Sequence, residues 1–394
     1  MNFRTITSSI ELKYGFTELE IDKQLTKINS QLEIIKKKYK NIKTIRISII
    51  FNEKLSIADL PSLINTLNYL KLICSRKNIR WFSLALNSSQ FENIDNISEI
   101  VTTIIRKISN IFIHLIVDEK SEKIFDAYSK TIIKVSRISE SGFDNFRLGI
   151  SDGNTFNTPF FPFSNFKDPL TFSVGLETLE TLIKELYKKD NINYSDNLKK
   201  YKNKLIKNLN SIDSYLSKNS IISYSGIDAS LAPIPRTNQS IGLLFELLGV
   251  HSLGNLGTLS VTSKLTSLIK NAFRLSNAKS AGFNGVMFSP LEDDWLAKQS
   301  YNNTLTPESL MLYSSVCGCG IDMVPLPGDI FIETISCLIC DVINLSQKHK
   351  KPLGIRILPI PGKFSNEKTS FNHDFLSDMK IINIKDSIMP NLNF

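Results

Sequence analysis

Residues 314–329 read SSVCGCGIDMVPLPGD and place Cys317 and Cys319 one residue apart in a glycine-flanked turn. Glycines let other groups come close to such a turn, and a thiolate there would be a nucleophile or a radical carrier. Cys317 ends a helix-like run, and a neighbouring cation, with Arg356 the first candidate, would lower its pKa from the ordinary ~8.5. The competing reading is that Cys317 fills a gap in the core, as small buried cysteines commonly do. Cys337 and Cys340 fall in an apolar helical stretch, 332–345, and read as packing. Asp322 closes the same turn as a candidate proton-transfer group.

Four further segments carry polar chemistry. Residues 226–236, GIDASLAPIPR, bring Asp228, Ser230 and Arg236 together. They would converge on an anion, or the first two would fix a proline-stiffened turn. Residues 354–363, GIRILPIPGK, carry Arg356 within a strand and Lys363 just after it. Two such cations suit a carboxylate or phosphate, or Arg356 would pair with one of the acids. Glu292-Asp293-Asp294 fits the first turn of a helix, where the macrodipole favours negative charge. The alternative to that favoured reading is a general-base site or a set of oxygen ligands for a divalent metal such as Mg²⁺ or Ca²⁺. Residues 254–258, GNLGT, open a helix as an anion site or by simple N-capping through Thr258. The spacings of a closed zinc site are absent. All four histidines, His114, His251, His349 and His373, stand outside these segments, so a Ser-His-Asp or Cys-His arrangement lacks a base.

Alternating strand-like and helix-like runs must position these groups. Residues 44–51, 79–86 and 111–117 are β-branched or apolar strands; 18–40, 57–74, 98–108 and 122–135 have helical period, with Pro61 in a first turn. Residues 151–172 interleave prolines with phenylalanines and predict an ordered loop lying on a core. A helix over 174–187 and a basic helix over 195–216 follow. Of the 17 glycines, 12 lie after residue 225, in clusters read as strand-to-helix junctions, where α/β folds gather sites. The pattern predicts an α/β protein with a mostly parallel sheet or barrel. With no Gly/Ser-rich linker, residues 1–394 are read as one large domain, with a basic half (1–220) and a glycine-rich half (221–365) carrying the site. On this reading the five glycine-rich segments meet in one cleft, with 158–162 and Glu177 as its wall or lid.

The net charge of +9 sits entirely in residues 1–220, which carry 33 Lys+Arg and 24 Asp+Glu. The excess lies in lysine runs such as Lys36–Lys38, Lys188–Lys189 and Lys199–Lys200, with little Arg or aromatic interleaving. That reads as solvated helix faces, so no nucleic-acid partner is expected. No apolar run approaches the ~20 residues of a membrane span, and no signal core follows the N-terminus. A cytoplasmic protein with reduced cysteines is expected, without a membrane partner, and homo-oligomer formation is left open.

These segments, in this order, resemble the family called domain of unknown function 711. The likeness starts at residues 4–7 (RTIT) and recurs at 158–162 (TPFFP) and 173–177 (SVGLE). It becomes close over 226–363, through DASLAP, LEDD, VCG, GID, PLPGD and PIPGK. The resemblance implies a large barrel-like α/β fold similar to the glycyl-radical enzymes of the pyruvate formate-lyase type, with a loop entering the barrel. It implies no established reaction. Where the family pattern has Gly-Thr-His-Gly-Thr, this chain has Leu256 in place of the His. It also lacks a C-terminal glycyl-radical motif, so no stored radical is expected. Three functions stand open: an enzyme acting on a small anionic metabolite with Cys317, Asp322 and Asp228 as its reactive groups; a metal-assisted enzyme with Glu292, Asp293, Asp294 or Asp322 binding a divalent cation; and a non-catalytic metabolite-binding or regulatory protein. In the first, Arg356, Lys363, Arg236, Ser230 and Glu177 bind the substrate.

Overall fold

The computed structural model describes residues 1–154, 157–187 and 194–389. Lys188, Lys189 and two residues of the aromatic loop, Thr155 and Phe156, lie outside them. One mixed sheet organises the chain. Its strands are β1 (Phe3–Glu11), β2 (Ile42–Ile50), β3 (Trp81–Asn87), β4 (Ile111–Ile116), β5 (Leu148–Ser151), β6 (Thr171–Leu176), β7 (Ser223–Asp228), β8 (Gly320–Pro327) and β9 (Gly354–Ile360). The order across the sheet is β7-β6-β1-β2-β3-β4-β5-β9-β8. Strands β1 to β5 run parallel, and the joints β1–β6 and β5–β9 are antiparallel. The outer pairs β6–β7 and β8–β9 are parallel within themselves. The basic half thus supplies β1–β6 and the glycine-rich half β7–β9 to a single sheet.

Helices connect the strands: α1 (Glu18–Lys38), α2 (Leu60–Arg76), α3 (Ile97–Lys107), α4 (Glu122–Ser136), α5 (Leu179–Leu186), α6 (Tyr194–Asn219), α7 (Ile241–Leu247), α8 (Thr258–Ser276), α9 (Asp294–Gln299), α10 (Pro307–Ser314) and α11 (Ile332–His349). Local sequence explains most of them. Thr17 and Glu20 form a capping box at α1, and Ile21, Leu25, Ile28, Leu32 and Ile35 bury its apolar stripe. Pro61 lies in the first turn of α2 as its sequence suggests. The helix read over 174–187 begins instead as strand β6, all six of whose residues are buried. A strand covered on both faces has no alternation, so its apolar run does not distinguish it from a helix. The glycines 249–257 lie between α7 and α8, not after a strand.

The two edges of the sheet approach one extended segment. Ile227 of β7 accepts from Ala281 N at 2.9 Å and donates to Lys279 O at 2.9 Å. Leu231 donates to Gly285 O at 2.9 Å and accepts from Met287 N at 3.1 Å. On the far side of that segment, Gly318 N donates to Val286 O at 2.7 Å, just before β8.

The aromatic loop runs across one face of the sheet. Thr7 of β1 donates to Pro159 O at 2.7 Å, and Ser83 of β3 donates to Pro162 O at 2.9 Å. Phe163 needs bare backbone beneath it: a Cβ at Gly354 would stand 2.4 Å from its ring, and one at Gly149 2.7 Å from it. The small side chains facing the loop are therefore the complement of its phenylalanines.

Candidate functional site

Strands β1 to β5 begin, and β6 and β7 end, at one rim of the sheet, and a cleft opens there. A bulge in the β1–β6 register between Phe3 and Thr5 accompanies Arg4 at this rim. Arg46 of β2 lies between Thr7 and Trp81 in register, so its guanidinium enters the same space. Arg356 of β9 comes from the opposite wall, and Phe146, Phe160, Phe161 and Phe163 close the floor. The inner chamber holds about 70 Å³. An outer chamber of about 440 Å³ adjoins it and shares Arg4, Arg46, Phe112, Phe146 and Glu292 with it.

The three arginines are not equivalent. Arg356 is buried and held in a fork by Asp322, Nε to Oδ1 at 2.6 Å and Nη2 to Oδ2 at 2.9 Å, with Glu292 Oε2 at 3.2 Å from Nη2. Burial works against its charge, but Asp322 and Glu292 outweigh it and hold its pKa above the ordinary value. Arg4 donates to the backbone oxygens of Ala232 and Pro233 at 2.9 and 2.7 Å, which ties β1 to the turn after β7. The half-buried Arg46 side chain makes no hydrogen bond or ion pair among the described residues, and its Nε is buried without a partner. Its guanidinium lies 5.1 Å over the Phe161 ring. Burial and the neighbouring Arg4 push it down to about 9, which leaves it protonated at neutral pH. A cation in this state gains most from an incoming anion, which would supply the missing acceptor in a weakly screened site.

Among the acids, only Glu292 and Asp322 line the inner chamber. Ser289 Oγ donates to Glu292 Oε2 at 2.6 Å, and Oε1 takes no hydrogen bond among the described residues. Asp228 is spent: Ser230 N, Ser230 Oγ, Phe283 N and Asn284 N donate to it at 2.9, 2.6, 2.8 and 3.3 Å. Burial raises its carboxyl against the pull of these donors. Ser230 shares that bracket, which stitches the end of β7 to the segment after α8. Asp293 caps two helices at once, with Ser240 Oγ and Ile241 N at 2.6 Å on one side and Trp295 N and Leu296 N at 3.0 and 3.1 Å on the other. Asp294 accepts from Arg236 N at 2.8 Å and from Ser377 Oγ. Glu292, Asp293 and Asp294 therefore point to different partners and offer a divalent cation no converging set. Among the described residues no three His, Cys, Asp or Glu side chains gather as metal ligands.

The remaining candidates sit apart. Arg236 is exposed and pairs with Asp374 at 2.8 Å. Lys363 is half-buried and donates to Lys368 O and, at 3.1 Å, to Ser370 Oγ. Glu177 is buried and pairs with Lys43 of the outer chamber. Leu256 is fully exposed and Gly254 packs on Thr304, away from the cleft. Cys317, only 1% exposed, is not part of the lining of either chamber. Its thiol is lowered to about 6, chiefly by hydrogen bonding from Cys319 and then by the charge of Lys351, whose Nζ also donates to Cys317 O at 2.8 Å. The cation near Cys317 is thus Lys351, and Arg356 is occupied with Asp322. Sequence reasoning missed Arg4 and Arg46 as site residues. The available signal was an arginine embedded among β-branched residues of β2, a strand paired on both sides, where a charge is an unusual choice.

A family model described as "Uncharacterised ACR (DUF711)" matches residues 1–374. The chain is 33% identical over 150 residues to the UPF0210 protein of Syntrophobacter fumaroxidans, covering 38% of this chain and 33% of that protein. It is 26% identical over 197 residues to the UPF0210 protein of Methanococcoides burtonii, covering 50% and 44% of the two chains. A UPF0210 protein of Pyrobaculum aerophilum is 25% identical over 188 residues, 48% of this chain and 42% of that one. The matched segments thus span between a third and under half of the length of these curated relatives.

Proposed function

The chain belongs to the DUF711 family, and we propose from that premise that its arginine-lined cleft binds a small anionic metabolite with Arg46 as the anchor. The observation that carries this reading is the unpartnered Arg46 guanidinium beside Arg4, in a chamber floored by phenylalanines. Arg356 contributes positive potential but is already neutralised by Asp322. Glu292 is the acid suited to exchange a proton with a bound ligand, because Oε1 is open while Arg356 and Ser289 hold Oε2. Thiol chemistry on this ligand is not assigned, since Cys317 lies off the lining. The same reading fits a binding protein that does no chemistry, and a requirement for Glu292 in turnover separates the two.

We further read the sheet as a barrel of the pyruvate formate-lyase type. Support comes from five strands running one way, β6 to β9 running the other, and the 280–287 segment bonded to both edges. The loop 158–163 on the inner face is what that fold would require.

The test is thermal unfolding with pyruvate, malonate and inorganic phosphate, for the wild type and Arg46→Gln. A ligand at 100 times its Kd stabilises by about 2.7 kcal/mol, which shifts the midpoint measurably. The wild type is expected to respond to at least one anion class and Arg46→Gln to bind it at least tenfold more weakly. Equal responses in the two proteins would remove Arg46 from the site.

A further inference from the structure

The inner chamber, at about 70 Å³, holds an anionic head and little else. Pockets that take a whole metabolite run from ~300 Å³ upward, and the adjoining outer chamber, at about 440 Å³, is of that size. Part of its wall is aromatic. Trp81, Phe112, Phe146 and Phe375 form one connected group, with Trp81 edge-on to Phe112 at 5.5 Å and Phe375 parallel to Phe146 at 6.1 Å. Trp81 and Phe375 are only half-buried, so large apolar faces border the space. Besides the shared Arg4 and Arg46, two cations line this chamber: Arg80 lies 4.5 Å over Trp81 and 5.2 Å over Phe375, and Lys43 is paired with Glu177.

Resting on the anion reading of this cleft, we infer that its ligand is an aromatic anion, with a carboxylate or phosphate in the inner chamber on Arg46 and a planar ring in the outer chamber against Trp81 and Phe375. The two chambers share Arg4, Arg46 and Glu292 at their junction, so one molecule can occupy both. A ring recovers dispersion and displaces water from apolar walls, while the head satisfies the unpartnered guanidinium. Neither part alone uses the whole site.

Binding is read by thermal shift and by the fluorescence of Trp81, in a Trp295→Phe background that leaves Trp81 as the only tryptophan. The probes form three sets. Phenylpyruvate and indole-3-acetate are aryl carboxylates, and phenyl phosphate and adenosine 5′-monophosphate are ring-bearing phosphates. Pyruvate and inorganic phosphate are heads without rings, and indole and adenosine are rings without heads. One ring-bearing anion class is expected to bind at least tenfold tighter than its own head, with Trp81 fluorescence changed, and the uncharged rings not to bind. The class that gains tells carboxylate from phosphate. Phe375→Ala and, separately, Trp81→Leu should abolish the gain while leaving head binding in place, with thermal unfolding of the unliganded variants reporting that they fold. If heads bind but rings add nothing, the aromatic assignment is overturned and the anion reading stands. If no anion of any set binds, both fall.

Discussion

Asp293 has the residue type, burial and company of a catalytic carboxylate, yet its oxygens are taken up by the first turns of α7 and α9. Asp228 is likewise closed by four donors, and Asp294 by the Arg236 backbone and Ser377. Glu292, one residue away from Asp293, keeps an oxygen free. Sequence spacing is blind to this difference, because adjacent residues diverge in direction as a turn enters a helix. The same holds for the thiols. Cys317 has the lower pKa, but reactivity also requires contact with the reagent, and it is 1% exposed whereas Cys337 is partly exposed. Alkylation of the native protein with iodoacetamide at pH 7.5, followed by mass spectrometry, is therefore expected to modify Cys337 first. Cys317 should follow at least tenfold more slowly, at the rate of local opening. A Cys317 that reacts fastest would return the thiol to the functional surface.

At the scale of elements, the aromatic loop and the strands beneath it specify each other. Gly149 of β5 and Gly354 of β9 leave room for the Phe163 ring, and Thr7 and Ser83 hold the loop backbone at Pro159 and Pro162. Gly354→Ala drives a methyl group into that ring and should cost about 1–3 kcal/mol in urea unfolding, the range for overpacked cores. In a Phe163→Ala background the same substitution should cost at least about 1 kcal/mol less, since contacting pairs couple by roughly 0.5–3 kcal/mol. Strict additivity of the two substitutions would mean that the loop does not cross the sheet there. The loop's Phe160, Phe161 and Phe163 also line the inner chamber, with Arg46 lying over Phe161. In the sequence, 151–172 is legible as an ordered aromatic segment on a core. That it crosses the face of the sheet is not legible, since small residues facing it such as Gly149 and Ser83 carry no pattern of their own.

For the molecule as a whole, the question is whether the sheet has edges. An open sheet leaves the outer amides of β7 and those before β8 to exchange with solvent, whereas closure through 280–287 protects them. Native-state hydrogen exchange should find the amides of Ala281, Leu231, Met287 and Gly318 protected to within about tenfold of those in central β2 and β3. Fast exchange at these four positions, with β2 and β3 protected, would leave an open sheet and remove the barrel reading. Closure would also bear on the cleft, because the 280–287 segment ends in Met287 and leads on to Ser289, both in the inner chamber's wall.

The sequence by itself determined the alternation of strands and helices, the bounds of α1, α3 and α4 to within a few residues, and the kinship of the chain. Periodicity, caps and ordered motifs are local or linear properties, and they survive without a fold. It also marked Asp322, Arg356 and Glu292, which the structure brings together. Tertiary structure alone decided that Arg356 is neutralised by Asp322, that Lys363 and Arg236 lie on the surface, and that Lys351 is the cation beside Cys317. It alone brought forward Arg4 and Arg46. A charge becomes a binding group through the partner that is withheld from it. That absence is set by strands more than 30 residues apart in sequence, β1 against β2 and β9, and no spacing along the chain encodes it.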